Sequence, residues 1–246
     1  MIRELGPGLR LMIALTILTG LIYPVAMTGV SAAIFPAKAN GSLVTQNGKV
    51  VGSSLIGQSF TRADYFHPRP SSAGAGYDAT SSAGSNLGPT SAKLLYGTTK
   101  TDDKGKEIVD FDGLEDRIVH YCIDNNIAFT SSAPLDRFKD AQGNLDDVKM
   151  IKAFNDAKSP LVVTPKVPIP SDAVTGSASG LDPHISPANA ELQVGRVAAA
   201  RGASLDQVRL LIAQATDKPS LGFIGEPGVN VLLLNLSLDQ KLPARK

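Results

Sequence analysis

The sequence predicts an α+β protein with one N-terminal transmembrane helix. A mixed α/β extracytoplasmic domain with an inserted charged helical segment follows it. Residues 11–35 form one uncharged, largely apolar run, and no second run like it follows. About 20 such residues suffice to cross a hydrocarbon core. Beyond it, short hairpin-like stretches alternate with stretches that carry helix caps. The region 92–159 is the most charged of the chain. The expected organisation is a cytoplasmic N-terminus over 1–10, a transmembrane helix over 11–35 and a periplasmic α/β domain over 36–246, with 101–164 as the insertion.

The run is longer than the h-region of a signal peptide, usually 7–15 residues, although Ser31-Ala32-Ala33 offers a small-residue cleavage site. A retained anchor is therefore expected. Gly20, Pro24 and Gly29 interrupt it, as is common where neighbouring membrane helices approach closely. Arg3 and Arg10 precede it, which by the positive-inside tendency leaves the N-terminus in the cytoplasm and the bulk outside; Lys38 on the far side is a weak counter-signal. A single helix cannot enclose a path for a polar solute, so this protein should work beside another membrane component.

Net charge is +1, which does not mark a nucleic-acid binder, and the single cysteine, Cys122, forbids an internal disulfide framework. With no tryptophan and 5% aromatics, the core should rest on Leu, Ile, Val and Ala. Asn47-Gly48 between residues 42–45 and 49–55 signals a tight type I′ hairpin. Residues 65–91, YFHPRPSSAGAGYDATSSAGSNLGPTS, are rich in Ser, Gly, Ala and Pro and too long for an ordinary connection. Composition alone favours a flexible surface loop. The functional reading is an ordered loop that presents backbone and hydroxyl groups to a partner or ligand.

Asp112 with Glu115 suggests a capped helix carrying Leu114, Ile118, Tyr121 and Cys122. A second short helix should carry Val148, Ile151 and Phe154, after a turn around 140–144. Residues 165–170 should be extended. Ser186-Pro187 should open a helix that stops at Gly202, with Ala188, Leu192, Gly195 and Ala199 as its buried stripe. Ser204 and Gln207 form a capping box for the next helix, whose apolar face is Leu205, Val208, Ile212 and Ala215. Alternating leucines over 229–238 suggest a central strand buried on both faces.

No catalytic centre or metal site is legible. There is no Walker loop, and Gly74-Ala75-Gly76 follows no apolar strand as a dinucleotide fold requires. Asp217-Lys218-Pro219 is not the phosphorylated-aspartate motif of cation pumps. His67, His120 and His184 lack metal-ligand spacing. His120 reads as a surface or packed residue. His67 and His184, each beside a proline, are a weak catalytic pair. Cys122 reads as a small core residue.

Several strings resemble one family: GLIYPVAMTG, ANGSLV with GSSLIGQSF, YFHPRPSSAGAGYDATSSAGSNLGP, SASGLDPHISPANAELQVGRVAAARG and GEPGVNVLLLNLSLD. Together, over about 9–99 and 168–238, they are similar to the C subunits of the bacterial Kdp potassium-transporting ATPase, the KdpC family. The resemblance implies a non-catalytic, single-pass subunit of the inner membrane that supports assembly of a high-affinity, ATP-driven potassium uptake complex. Its implied partners are a channel-like potassium-selecting subunit, a P-type ATPase subunit and a small accessory peptide. It also implies a catalytic-chaperone role that raises the ATP affinity of the ATPase subunit. No intrinsic cofactor is expected, and ATP would enter through that subunit. Under this reading Gly20, Tyr23, Pro24 and Gly29 would face a membrane partner. Phe66, Arg69, Ser85 and Asn86 would dock a partner, and Asp182 and Asn189 would order the second polar loop. Were nucleotide held directly, Gln193 and Arg196 would be the contacts. The block 101–164 looks longer than in typical members. The alternative is a membrane-tethered periplasmic enzyme or binding protein unrelated to transport.

Overall fold

A computed structural model describes residues 2–244, which divide between Leu55 and Ile56 into two compact units. In the first unit, α1 (Ile2–Ile17), a π-helical turn (Leu18–Ile22) and α2 (Tyr23–Ile34) run on as one helix. Its span Arg3–Ile34 has 32 residues, and an 18-residue window within it has a mean hydropathy of 1.9. At 1.5 Å per residue that is about 48 Å, more than a hydrocarbon core of about 30 Å. The helix starts earlier than the apolar run, because Arg3, Glu4 and Arg10 continue it on the polar side. It ends one residue sooner, because Phe35 leaves helical geometry at φ −128° and ψ 57°.

The π turn has a local cause. Pro24 lacks an N–H, and its ring crowds the carbonyl of Gly20 one turn back. The wider turn relieves this, and Tyr23 N–H donates to Leu18 O. Thr16, Thr19 and Thr28 each donate a hydroxyl proton to the carbonyl four residues earlier, which hides those groups within the helix. After α3 (Pro36–Ala39) comes the expected hairpin of β1 (Leu43–Gln46) and β2 (Lys49–Ser53). Asn47 at φ 51° and Gly48 at φ 75° provide the left-handed pair of a type I′ turn.

The second unit begins with loops and α4 (Ala92–Tyr96), then an antiparallel hairpin of β3 (Thr98–Thr101) and β4 (Glu107–Phe111). Next come α5 (Leu114–Asp124), β5 (Phe129–Ser131), a 3-10 turn (Leu135–Phe138), α6 (Asp147–Phe154) and β6 (Val163–Pro165), which pairs with β5. The block 101–164 is thus not purely helical. Its β-branched and apolar alternation, as in Glu107-Ile108-Val109-Asp110-Phe111, forms strands around the two expected helices. Val119, Met150, Phe154, Leu161 and Val163 give it a core cluster. The expected Asp112 cap is replaced by Gly113, because the Asp112 carboxylate accepts two bonds from Arg117 instead, at 2.8 and 2.9 Å.

α7 (Ser171–Val174), β7 (His184–Ile185), α8 (Pro187–Arg201), α9 (Leu205–Gln214), β8 (Thr216–Asp217), β9 (Gly228–Asn230) and α10 (Val231–Lys241) complete the chain. Strands β7, β9 and β8 lie in that order in one antiparallel sheet. Phe66, Ile185, Val194, Val197, Val208, Leu211, Leu234 and Leu238 form the main core. Ser186 caps α8, Gly202 ends it at φ 62°, and Ser204 with Gln207 closes the capping box of α9, all as expected.

Two expectations are corrected. The strand over 229–238 is limited to β9. Asn230 caps a helix by accepting from Leu233 N, and Val231, Leu234, Asn235 and Leu238 are buried at helical spacing. Leucine favours helix, and four leucines satisfy either period until the cap decides. The expected small-residue stripe of α8 faces outward. Ala188, Gly195 and Ala199 are exposed, whereas Asn189, Gln193, Val194, Arg196, Val197 and Arg201 are buried.

Asn235 closes the core from α10: its Oδ1 accepts from Phe66 N and its Nδ2 donates to Phe66 O, both at 2.9 Å. Asn235→Ala leaves both buried peptide groups unpaired, at roughly 1–3 kcal/mol each. Urea unfolding of the detergent-solubilised chain should therefore show a lower midpoint with an unchanged slope. An unchanged midpoint would show that these bonds contribute nothing.

Candidate functional site

The polar loop over 65–91 has a fixed course because α8 holds its beginning. Asn189, Gln193 and Arg196 recur at helical spacing on one buried face. Gln193 accepts from His67 N at 2.8 Å and donates to His67 O at 3.2 Å. Arg196 donates to Ala63 O at 2.7 Å, Tyr65 O at 2.8 Å, Gln193 Oε1 at 2.7 Å and Asn125 Oδ1 at 3.0 Å. One turn on, Arg201 donates to Asp64 O, Leu242 O and Asp239 Oδ1. Asn189 extends the row: its Oδ1 accepts from Tyr121 and from Gln193, and its Nδ2 donates to Asp172. Burial pulls the Arg196 guanidinium below its ordinary value, and the carbonyl oxygens around it supply the acceptors that a buried cation needs.

A second junction ties this loop to the other polar stretch, residues 172–182. Arg69 donates to Asp182 Oδ2 at 2.9 Å and to the carbonyls of Thr175 and Gly176. Ser71 donates to Gly180 O, and Ser82 to Ser179 O. The two backbones approach so closely that a Cβ at Gly180, itself at φ 68°, would lie 2.5 Å from Ala83 O. This is why the loops are built of glycine and serine. Burial would raise the Asp182 carboxyl, but hydrogen bonds from His184 and the Arg69 charge hold it below the usual carboxylate range. His184 is raised by its bonds to Asp182 and then Asp217.

The expected site residues therefore separate. Arg69, Asp182 and Asn189 come together in the loop framework. Phe66, expected at a partner surface, is wholly buried in the main core, because its peptide is captured by Asn235. Gln193 and Arg196, expected to face nucleotide, point inward and are bonded to the chain itself. Ser85 and Asn86 are exposed, with Asn86 at φ 54°. In the first unit, Tyr23 and Pro24 open α2, and nothing lies within 4 Å of a Cβ built on Gly20 or Gly29. Gly74 and Gly76 sit in turns with no strand leading into them.

His67 Nε2 donates to Arg62 O, while His184 bonds Asp217, so the two take separate partners. His120 stands beside Asp147, which raises its value. Cys122 is buried, and burial pushes its thiol up. An exposed apolar tip was missed by sequence reasoning: Leu221 and Phe223 are 82% and 78% exposed. Its only signal is a short apolar run, Leu221-Gly222-Phe223-Ile224, bracketed by proline and glycine.

A family model described as "K+-transporting ATPase, c chain" (KdpC) matches residues 5–113 and 122–240. The Potassium-transporting ATPase KdpC subunit of Mycobacterium tuberculosis (strain ATCC 25618 / H37Rv) is 43% identical over 238 residues, covering 97% of this chain and 98% of that protein. Its namesake in Caulobacter vibrioides (strain NA1000 / CB15N) is 43% identical over 244 residues, 99% of this chain and 96% of its own length. That of Caulobacter sp. (strain K31) is 43% identical over 245 residues, 99% and 97%.

The loop junction should depend on pH with a definite sign. His184 is raised above its ordinary 6.5, so its contribution is full below that value and fades as pH rises through the raised one. Asp182 is lowered from 3.8, so its contribution is present above that value and fades as pH falls through the lowered one. The thermal-midpoint deficit of His184→Gln should be clear near about pH 5.5 and shrink towards about pH 9. A deficit that grows with pH would reverse the assignment.

Proposed function

The chain belongs to the KdpC family, the c chains of the K+-transporting ATPase, and on that premise we propose that it is a non-catalytic subunit that joins the other subunits of a potassium-uptake complex. The observation that carries this is the pairing of a near-full-length family match with one helix, Arg3–Ile34, long and apolar enough to span a membrane. The chain supplies one span and works beside subunits that supply the pathway.

Arg3 and Arg10 before the apolar run support a cytoplasmic N-terminus and a folded unit on the far side of the inner membrane. Open space at Gly20 and Gly29 and the widened turn before Pro24 support close approach by a membrane helix of the potassium-selecting subunit. The exposed face of the two polar loops, with Ser85 and Asn86, and the Leu221–Phe223 tip support docking outside the membrane. A chaperone effect on the ATPase subunit would then act through subunit contact. Gln193 and Arg196 lend no support to direct nucleotide binding, since their polar groups hold the 63–67 backbone. The charged block 101–164 decorates the outer unit without touching the ion path.

Leucine at Gly20 or Gly29 should leave membrane insertion intact and reduce co-purification with the potassium-selecting subunit several-fold. Equal recovery of that subunit by both variants would remove the helix from the interface. In membranes lacking this chain, potassium-stimulated ATP hydrolysis should be lost and restored by adding the chain back. Hydrolysis that survives unchanged without it would reject the subunit role.

A further inference from the structure

A cluster outside the loop framework has the makings of a metal centre. α5 carries Asp116 and His120 one turn apart, so both side chains leave the same helix face. Asp147, the first residue of α6, meets them from across the gap. His120 Nε2 lies 2.9 Å from Asp147 Oδ1 and 4.0 Å from Asp116 Oδ2. One ligand atom from each of the three lies within 4.8 Å of the others. Zinc bonds of about 2.0–2.1 Å in a tetrahedral site separate ligand atoms by about 3.3 Å, so the cluster needs only small side-chain adjustments.

A second observation is independent of that spacing. Asp116 is 3% exposed, yet its Oδ1 has no hydrogen-bond partner. A buried carboxylate oxygen without a donor is costly, and an ion is one standard remedy. The neighbouring arginine does not provide it. Arg117, the cation nearest in sequence, is committed to Asp112 and to Val174 O. All three residues also line one open cavity of 520 Å³, which leaves the remaining coordination position to water or a small ligand.

We propose that Asp116, His120 and Asp147 bind one divalent zinc ion, with a fourth position open to the cavity. The donor set selects the metal. An imidazole suits zinc better than magnesium or calcium, which prefer oxygen cages of six or more ligands. Neutral His120 with two carboxylates balances the ion's charge. The ion bridges α5 to α6 and so clamps the block 101–164 at the end of the cavity. Within the sequence, Asp-x-x-x-His alone is too common to signal a site, and Asp147 lies 27 residues beyond His120.

The test uses the full chain in detergent, stripped with a chelator and titrated with zinc ions alone against a chromophoric zinc indicator. One saturable equivalent is expected, with a rise in thermal midpoint on binding. Asp116→Asn and Asp147→Asn should each weaken it by ~10-fold or more, the range seen when metal-site partners are removed. Asp147 is half-exposed, so its variant keeps the test valid if Asp116→Asn fails to fold. Tetrahedral cobalt absorption in the wild-type chain, absent from His120→Gln, would add a spectroscopic mark. Absence of saturable binding overturns the proposal. So does binding that Asp147→Asn leaves unchanged, or that His184→Gln abolishes instead. None of these outcomes bears on subunit assembly, which the co-purification experiment reads separately.

Discussion

The fold of the larger unit hangs on one buried contact, the grip of the polar face of α8 on the backbone of residues 63–67. A helix in a small domain usually buries an apolar stripe. Here it buries Asn189, Gln193, Arg196 and Arg201 beside Val194 and Val197. Those polar groups are satisfied by peptide oxygens and nitrogens that have no ladder of their own, so each side pairs the other's buried groups. Asn235 repeats the arrangement from α10 on the next peptide. With its backbone held from two helices, Phe66 can enter the core and anchor the loop that follows.

The consequence is order in a segment whose composition argues for none. From Phe66 the loop reaches Arg69, whose guanidinium clasps Asp182, and then runs alongside residues 176–180 in backbone contact. Small residues are required for that approach, and hydroxyls from Ser71 and Ser82 pair with carbonyls across it. The result is an ordered polar surface whose backbone groups are paired across the two loops. The N-terminal helix, long and apolar enough to span a membrane, solves a different problem. Pro24 removes one backbone bond, and the π turn before it keeps the Tyr23 N–H paired with Leu18 O.

Local rules made part of this legible in the sequence. Asn47-Gly48, Ser186-Pro187 with Gly202, and Ser204 with Gln207 act within one turn, and each appears where its chemistry demands. The misreadings came from partners far along the chain. The polar face of α8 looked outward because its partners lie 126 residues away, at His67. Residues 231–238 satisfied both a two-residue and a helical period, and the Asn230 cap decided between them. Arg196 looked like a ligand contact because a buried arginine and a binding arginine read alike until its partners are seen. A helix long and apolar enough to span a membrane was plain from length, and the family from long ordered strings. The role of Asp116, His120 and Asp147 needed three residues from two helices.

Amide hydrogen exchange of the full chain tests the central contact most directly. Phe66 and His67 N–H should be protected as strongly as the core of α8, although they lie at the start of a serine- and glycine-rich loop. Gln193→Ala should expose the His67 amide while α9 keeps its protection. Rapid exchange of both amides in the unaltered chain would contradict it, since the loop would then be free of α8.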